Sequence, residues 1–137
     1  MGRRVFRVPT YLGRSSIHGT GVFTPFFIPA GTLIWSLDPE VDWTLTEDDI
    51  ARFPEAYQEK LRSYCFVDEN GSYILCGDNA RFMNHSEEPN CDDWTSGDTV
   101  AYRDIEAGEE LTCDYRAFDA ASRDPHRAEP YIIRRSA

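Results

Sequence analysis

Three features of the amino-acid sequence predict one mostly β domain with short helices. Apolar patches are many and short, and turn residues separate them. Only one segment carries helical spacing. The 137 residues suffice for one compact domain, 41% of them are hydrophobic and 13% aromatic, and no repeat or low-complexity linker divides them.

In chain order, Val22–Phe23 and Phe26–Ile28 read as strand segments before a turn at Pro29-Ala30-Gly31. Thr32–Trp35 follows as a strand of β-branched and aromatic residues. The helical region runs from Thr46 to Ser63. Thr46 can cap it, and Glu47, Asp48 and Asp49 occupy the favourable first turn. Ile50, Phe53, Tyr57 and Leu61 fall at spacings of three or four and predict one apolar face, with Pro54 splitting the region into two short helices. Asn70-Gly71 signals a hairpin into a strand at Ser72–Cys76, because both residues tolerate positive φ. Thr99–Arg103 and Glu110–Cys113 predict two further strands, parted by a turn at Ala107-Gly108, with Glu109 and Glu110 facing solvent after it. The core is expected over about 5–119, and 120–137 as a C-terminal tail whose first part is a mobile loop.

The formal charge is −10, and Lys60 is the single lysine beside thirteen arginines. Such acidity argues against direct nucleic-acid binding, which needs cations to neutralise phosphates, and suits a basic partner. No run is apolar enough to span a membrane, and no hydrophobic stretch follows the arginines near the start, so the expected location is intracellular, cytoplasmic or nuclear, or, for a bacterial source, cytoplasmic or exported to a host without a recognisable N-terminal signal. Cys65, Cys76, Cys91 and Cys113 show no C-x-x-C spacing; they read as buried small hydrophobes in a reducing compartment, with no metal site.

Two stretches carry the chemistry. Arg81-Phe82-Met83-Asn84-His85-Ser86, followed by Pro89-Asn90-Cys91, is the first; Ala107-Gly108-Glu109-Glu110-Leu111-Thr112-Cys113-Asp114-Tyr115 is the second. Ile17-His18-Gly19-Thr20-Gly21-Val22-Phe23 and Ile28-Pro29-Ala30-Gly31-Thr32-Leu33-Ile34 precede them. Together and in this order, they resemble the signature motifs of the SET-domain protein-lysine methyltransferases, in particular the compact viral and bacterial type without flanking modules. The resemblance implies small curved sheets and a C-terminal pseudoknot that sets the Asn-His and Asp-Tyr motifs side by side. It further implies methyl transfer from S-adenosylmethionine to a lysine amine of a histone or another basic protein. A non-catalytic SET module that binds a partner protein is the alternative. Monomer and homodimer both stay open.

By that resemblance His18, Gly19, Thr20 and Gly21 touch the cofactor, the glycines permitting close approach. Arg81, Phe82, Asn84 and His85 bind it too, with Arg81 and Phe82 shaping the wall and Asn84 offering both donor and acceptor. Tyr115 is the expected catalytic residue and also borders the cofactor. A phenol near pKa 10 is a poor base at neutral pH, so its expected task is to place the amine by hydrogen bonding. Asp114 reads as structural. Tyr64, Phe66 and Cys113 are expected to line the substrate channel; for Tyr64, channel lining and plain core packing both stay open, with Phe66 as the substitute. Cys113 is smaller than the aromatic residues frequent at its place, which predicts room for more than one methyl group.

The chain also departs from the family pattern. Where many members carry a zinc-binding cysteine just after Asn-His-Ser, this chain has Glu87, and no cysteine follows Cys113. No zinc is therefore expected. Phe118 and Tyr131, Ile132 and Ile133 are candidates to cover the cofactor, and simple C-terminal packing is the other reading. Glu87, Glu88, Asp92 and Asp93 form either an acidic lip for a basic peptide or a solvated loop.

Overall fold

A computed structural model describes residues 6–37, 41–93 and 98–120. The tail candidates Tyr131, Ile132 and Ile133 lie outside the described residues, as does most of the expected tail. The strands are β1 (Tyr11–Arg14), β2 (Thr20–Phe23), β3 (Leu33–Trp35), β4 (Trp43–Leu45), β5 (Phe66–Val67), β6 (Tyr73–Leu75), β7 (Asn84–His85), β8 (Cys91–Asp92), β9 (Thr99–Ala101) and β10 (Glu110–Cys113). They form a four-stranded sheet in the order β1-β2-β10-β7 and two three-stranded sheets, β3-β9-β8 and β4-β6-β5. Two helices, α1 (Glu47–Ala51) and α2 (Glu55–Tyr64), lie between β4 and β5. The mostly β expectation is met, in sheets too small to bury anything alone.

The sheets share one core. Val22 of β2, Ile34 of β3, Leu111 of β10 and the loop residue Ile105 are fully buried, and Met83, Cys91, Cys113 and Tyr115 pack with them. Burial of this apolar surface is the main favourable term of folding. Cys65, Cys76, Cys91 and Cys113 are buried as thiols rather than joined in disulfides. Burial, with the Asp93 charge adding to it, pushes the Cys91 thiol far above its usual range, so it behaves as a hydrophobe. A bulge between Leu33 and Trp35 sets Trp35 opposite Thr99 across the β3–β9 ladder.

The helical region follows its caps. The Thr46 hydroxyl accepts the Asp49 N–H at 3.1 Å, and the Asp49 carboxylate accepts the Thr46 N–H at 2.9 Å. Pro54 is the N-cap of α2. The single apolar face does not form, however. Ile50 and Leu61 are buried, but Phe53 is 39% and Tyr57 49% exposed, their rings tilted against each other at 5.3 Å. Pro54 starts a second helix, so a spacing counted across it does not mark one side of one cylinder.

Two other expectations change. Phe26 and Phe27 are exposed, at 63% and 50%, and only Ile28 pairs, in an isolated bridge to Ile105. The β5–β6 hairpin forms, but through a longer loop: the Asp68 carboxylate accepts the Asn70 and Ser72 N–H groups, and Gly71 alone takes positive φ. Among the described residues, no helix is long and apolar enough to cross a membrane.

Asn90 ties the sheets together. Buried, it donates from its amide nitrogen to the Glu110 carbonyl at 2.8 Å, and its amide oxygen accepts the Thr112 N–H at 2.8 Å. Asn90→Ala strands both main-chain groups. At about 1–3 kcal/mol for each, the expected loss is about 2–6 kcal/mol in urea unfolding. A loss below about 1 kcal/mol would show that β10 does not depend on this anchor.

Candidate active site

The site is built around two residues of parallel ladder. β7 pairs with β10 so that Asn84 sits opposite Thr112 and His85 opposite Cys113. The Ser86 N–H donates to the Cys113 carbonyl at 3.0 Å and extends the ladder. Asn84 and His85 thus become neighbours of residues far along the chain, Thr112 and Cys113.

Tyr115 follows at once. Its N–H donates to Nδ1 of His85 at 3.1 Å, and its hydroxyl donates to the Met83 carbonyl at 2.6 Å. The ring is 4% exposed and lies 5.3 Å from the His85 ring. Since Nδ1 accepts, the imidazole proton sits on Nε2, which donates to Glu87 Oε1 at 3.3 Å. Asp114 Oδ1, at 3.7 Å from Nδ1, is too far for a hydrogen bond. Because the Tyr115 proton is directed at Met83, the phenolic oxygen acts as an acceptor toward any other group.

Tyr115 forms part of the wall of a cavity of about 220 Å³. Tyr64, Phe66, Cys113, Arg81 and Phe118 share that wall. The two rings of the expected channel differ in what holds them. Phe66 meets Phe118 edge-on at 5.1 Å, and Phe118 meets Tyr115 at 6.0 Å; Tyr64 packs edge-on against Phe82 at 5.8 Å. Tyr64 stands in the cavity wall and also packs on Phe82, so it has both a lining and a packing contact. Phe118, offered as a cover, is a cavity wall. Trp35, Leu37, Cys76, Ala80, Met83, Asp93 and Thr99 complete the lining and were not expected there. Trp35, Leu37, Asp93 and Thr99 come from β3, β9 and the loops beside them, outside the quoted motifs, whereas Met83 lies within the Arg81–Ser86 motif.

His18, Gly19, Thr20, Gly21, Phe82, Asn84 and His85 stand outside the cavity wall. The loop before β2 is fastened to β7 by Asn84. Its side-chain nitrogen is 2.9 Å from the His18 carbonyl, 3.3 Å from the Thr20 carbonyl and 2.9 Å from Glu110 Oε2. Gly19 takes a positive φ of 48°. Glu110 therefore does not face solvent as expected: Oε2 holds Asn84, and Oε1 accepts the Ser15 hydroxyl at 2.7 Å. The alternation of β10 points it inward beside Gly21. Glu109 lies at the rim, paired with Arg103 at 3.0 Å.

Arg81 is turned into its own wall. Its guanidinium lies 4.8 Å from the Phe82 ring centre and 5.9 Å from that of Tyr64, and it reaches the Cys76 and Asp78 carbonyls at 3.4 and 3.3 Å. Glu87 joins a chain of charges. Arg116 Nη2 is 2.5 Å from Glu87 Oε2 and 2.9 Å from Asp114 Oδ2. Asp114 also accepts the Arg116 N–H at 3.0 Å, which makes it the structural residue expected. Burial raises the Asp114 carboxyl, but its bonds to Arg116 outweigh that and hold it below the usual range. The hydrogen bond from His85 lowers Glu87 most, with Arg116 adding to it. Of the acidic-lip candidates, Glu87, Glu88 and Asp92 border a shallow outer groove, while Asp93 faces the inner cavity. Among the described residues, no cluster of three His, Cys, Asp or Glu could hold a metal ion.

Comparison with known proteins bears on this arrangement. The family model described as the SET domain matches residues 19–116. The chain is 37% identical over 108 residues to the Drosophila melanogaster histone-lysine N-methyltransferase ash1, covering 71% of this chain and 5% of that protein. It is 33% identical over 115 residues to human histone-lysine N-methyltransferase 2B, covering 75% of this chain and 4% of the relative. It is 32% identical over 129 residues to the H3 lysine-36 specific enzyme of Schizosaccharomyces pombe, covering 84% of this chain and 16% of that one. The chain thus spans a small fraction of these relatives. A Plasmodium falciparum crystal structure, named as a candidate histone methyltransferase, shares the fold with TM-score 0.53 at 21% identity, over 84% of this chain and 95% of that one.

Gly21 tests the loop–ladder fastening. A Cβ there would stand 2.3 Å from Glu110 Oε2 and 2.7 Å from its Cδ. Gly21→Ala is expected to leave the fold intact, since Glu110 can swing away, but to release Asn84 and Ser15. Hydrogen exchange of the 15–20 amides should then quicken by about tenfold or more, the equivalent of one weakened hydrogen bond. Unchanged protection would show that Glu110 does not order the loop.

Proposed function

The chain belongs to the SET-domain family, and on that premise we propose that it is an S-adenosylmethionine-dependent protein-lysine N-methyltransferase. The observation that carries the reading is Tyr115. Its phenol is braced on the Met83 carbonyl, faces an aromatic cavity, and is locked through its N–H to the histidine of the Asn-His pair. One group thereby touches both halves of the implied site.

The residues present fit the cofactor. The loop His18–Gly21 with Asn84 and His85 would hold it, with Arg81 and Phe82 at the wall. The carboxylate of Glu110 and the carbonyls of His18 and Thr20, gathered on Asn84, make this an acceptor-rich corner suited to a cationic ligand. When bound, S-adenosylmethionine supplies a methyl group on a positively charged sulfur.

The chain's own residues do the rest. Rings of Tyr64, Phe66, Tyr115 and Phe118 remove water from an alkyl side chain in the cavity. The Tyr115 oxygen, committed as an acceptor, takes an amine N–H and so turns the nitrogen lone pair. Desolvation lowers the amine pKa from its free value near 10.4, and a nearby positive charge lowers it further. Water can carry the proton away. Cys113, in the same wall, leaves space for an amine that already bears a methyl group. The acidic balance of the chain and the histone-modifying names of its relatives support a histone tail or another basic segment as substrate.

Radiolabelled methyl transfer onto a panel of histones and ribosomal proteins tests the reading, with Tyr115→Phe as the paired variant. The wild type should label lysine in a basic protein, and Tyr115→Phe should lose about 10²–10⁴-fold in kcat, the scale of a group acting at the reacting atoms. Absence of any transfer to the panel, with S-adenosylmethionine failing to bind by calorimetry, sinks the assignment. A second expectation concerns pH. Once chemistry is shown to be rate-limiting, kcat should rise from neutral to mildly alkaline pH as the bound amine loses its proton. A flat profile contradicts this scheme.

A further inference from the structure

Two polar atoms of residues in the cavity wall have no hydrogen-bond partner among the described residues: the indole nitrogen of Trp35 and Oδ2 of Asp93. Both are closed off from solvent. Thr99 links them. Its hydroxyl donates to the other Asp93 oxygen, and Thr99 is the cross-strand partner of Trp35.

A carboxylate in that position is costly. Burying an ionised group without a counter-charge loses its hydration and returns nothing. The consequence is visible in its titration. Burial pushes the Asp93 carboxyl up to about 6; the Thr99 hydrogen bond opposes this, and the charges of Asp92 and Asp114 add to it. Arg81 is the cation in the same wall, but it lies over Phe82 and Tyr64 and gives its Nη1 hydrogen bonds to main-chain oxygens of Cys76 and Asp78. An apolar wall needs no acid for packing. An aromatic cavity of about 220 Å³ with one carboxylate in its lining matches a long alkyl chain that ends in a positive charge.

We propose that Asp93 is the charge-selecting residue of this cavity, its carboxylate turning from its closed-off position to pair with the ammonium form of an entering alkylamine side chain, so that it is admitted ahead of a neutral chain of the same length. This rests on reading the cavity as the lysine channel. It adds to that reading an electrostatic selection that the aromatic rings, which accept any slender apolar chain, do not provide alone; the pairing raises the amine pKa against the desolvation that lowers it, so it acts on admission and not on the transfer step.

The test uses the full chain and two small probes, n-butylammonium and n-butanol, which reproduce the end of a lysine side chain with and without charge. Binding is followed by NMR on the Trp35 indole N–H. Wild type should bind n-butylammonium about tenfold more tightly than n-butanol. In Asp93→Asn the preference should fall to about twofold or less. Asparagine keeps an oxygen for the Thr99 hydroxyl, so the fold should survive, and relief of the buried charge should raise the melting temperature. A wild type that binds both probes alike, or neither, overturns the proposal. So does an Asp93→Asn variant that keeps the preference, or one that melts lower with the preference intact, which would make Asp93 purely structural. The measurement needs neither cofactor nor turnover. Its failure therefore leaves the methyl-transfer reading standing, and failure of methyl transfer leaves this result interpretable.

Discussion

The parallel pairing of Asn84-His85 with Thr112-Cys113 is the constraint on which the rest depends. A parallel pair needs a long return connection, here everything from Ser86 to Leu111, and that closure costs chain entropy. What repays it is burial of polar partners as much as of apolar surface. Asn90 holds β10 by its main chain, the Tyr115 N–H reaches His85, and the Tyr115 hydroxyl reaches the Met83 carbonyl. Each of these groups would be expensive to leave unpaired in the core. The register cannot slip by one residue without breaking several at once. The geometry of the site is therefore as fixed as the core itself.

Several side chains serve structure and site together. Asn84 staples the loop before β2, and its side-chain nitrogen gathers the His18 and Thr20 carbonyls and the Glu110 carboxylate around it. Glu110 accepts from both Asn84 and Ser15. On the other face, Glu87, Arg116 and Asp114 connect the segment after the Asn-His pair to the segment after β10. These pairs are partly exposed and add little to stability singly. Their use is positional: they hold His85 in one tautomer and keep Asp114 beside Tyr115.

The cavity departs from this rule of satisfied polar groups. Trp35 Nε1 and Asp93 Oδ2 lack partners among the described residues while the surrounding wall is aromatic. Unpartnered buried polar atoms are few in native proteins, and sites that must receive a ligand are where they are tolerated. Asn84 and Asn90, whose amides are engaged, stand in contrast to these two atoms.

Local chemistry was legible in the sequence. The cap at Thr46, the break at Pro54, the turn at Gly71 and the buried cysteines each depend on a residue and its near neighbours, and each appears where its type predicts. The order of the motifs likewise announced that Asn84, His85 and Tyr115 would meet. Reading failed where a pattern needed a partner distant in the chain. Phe53 and Tyr57 keep helical spacing but straddle two helices, and Glu110 follows a turn yet points inward because β2 and β7 flank its strand on both sides. The sequence by itself determined the kinds of groups available and the short elements that carry them. Only the tertiary structure decided that Asp93, Thr99 and Trp35 share a wall with Tyr115, because that juxtaposition comes from a bulge and from three small sheets packed on one core, and neither is encoded in any contiguous stretch of residues.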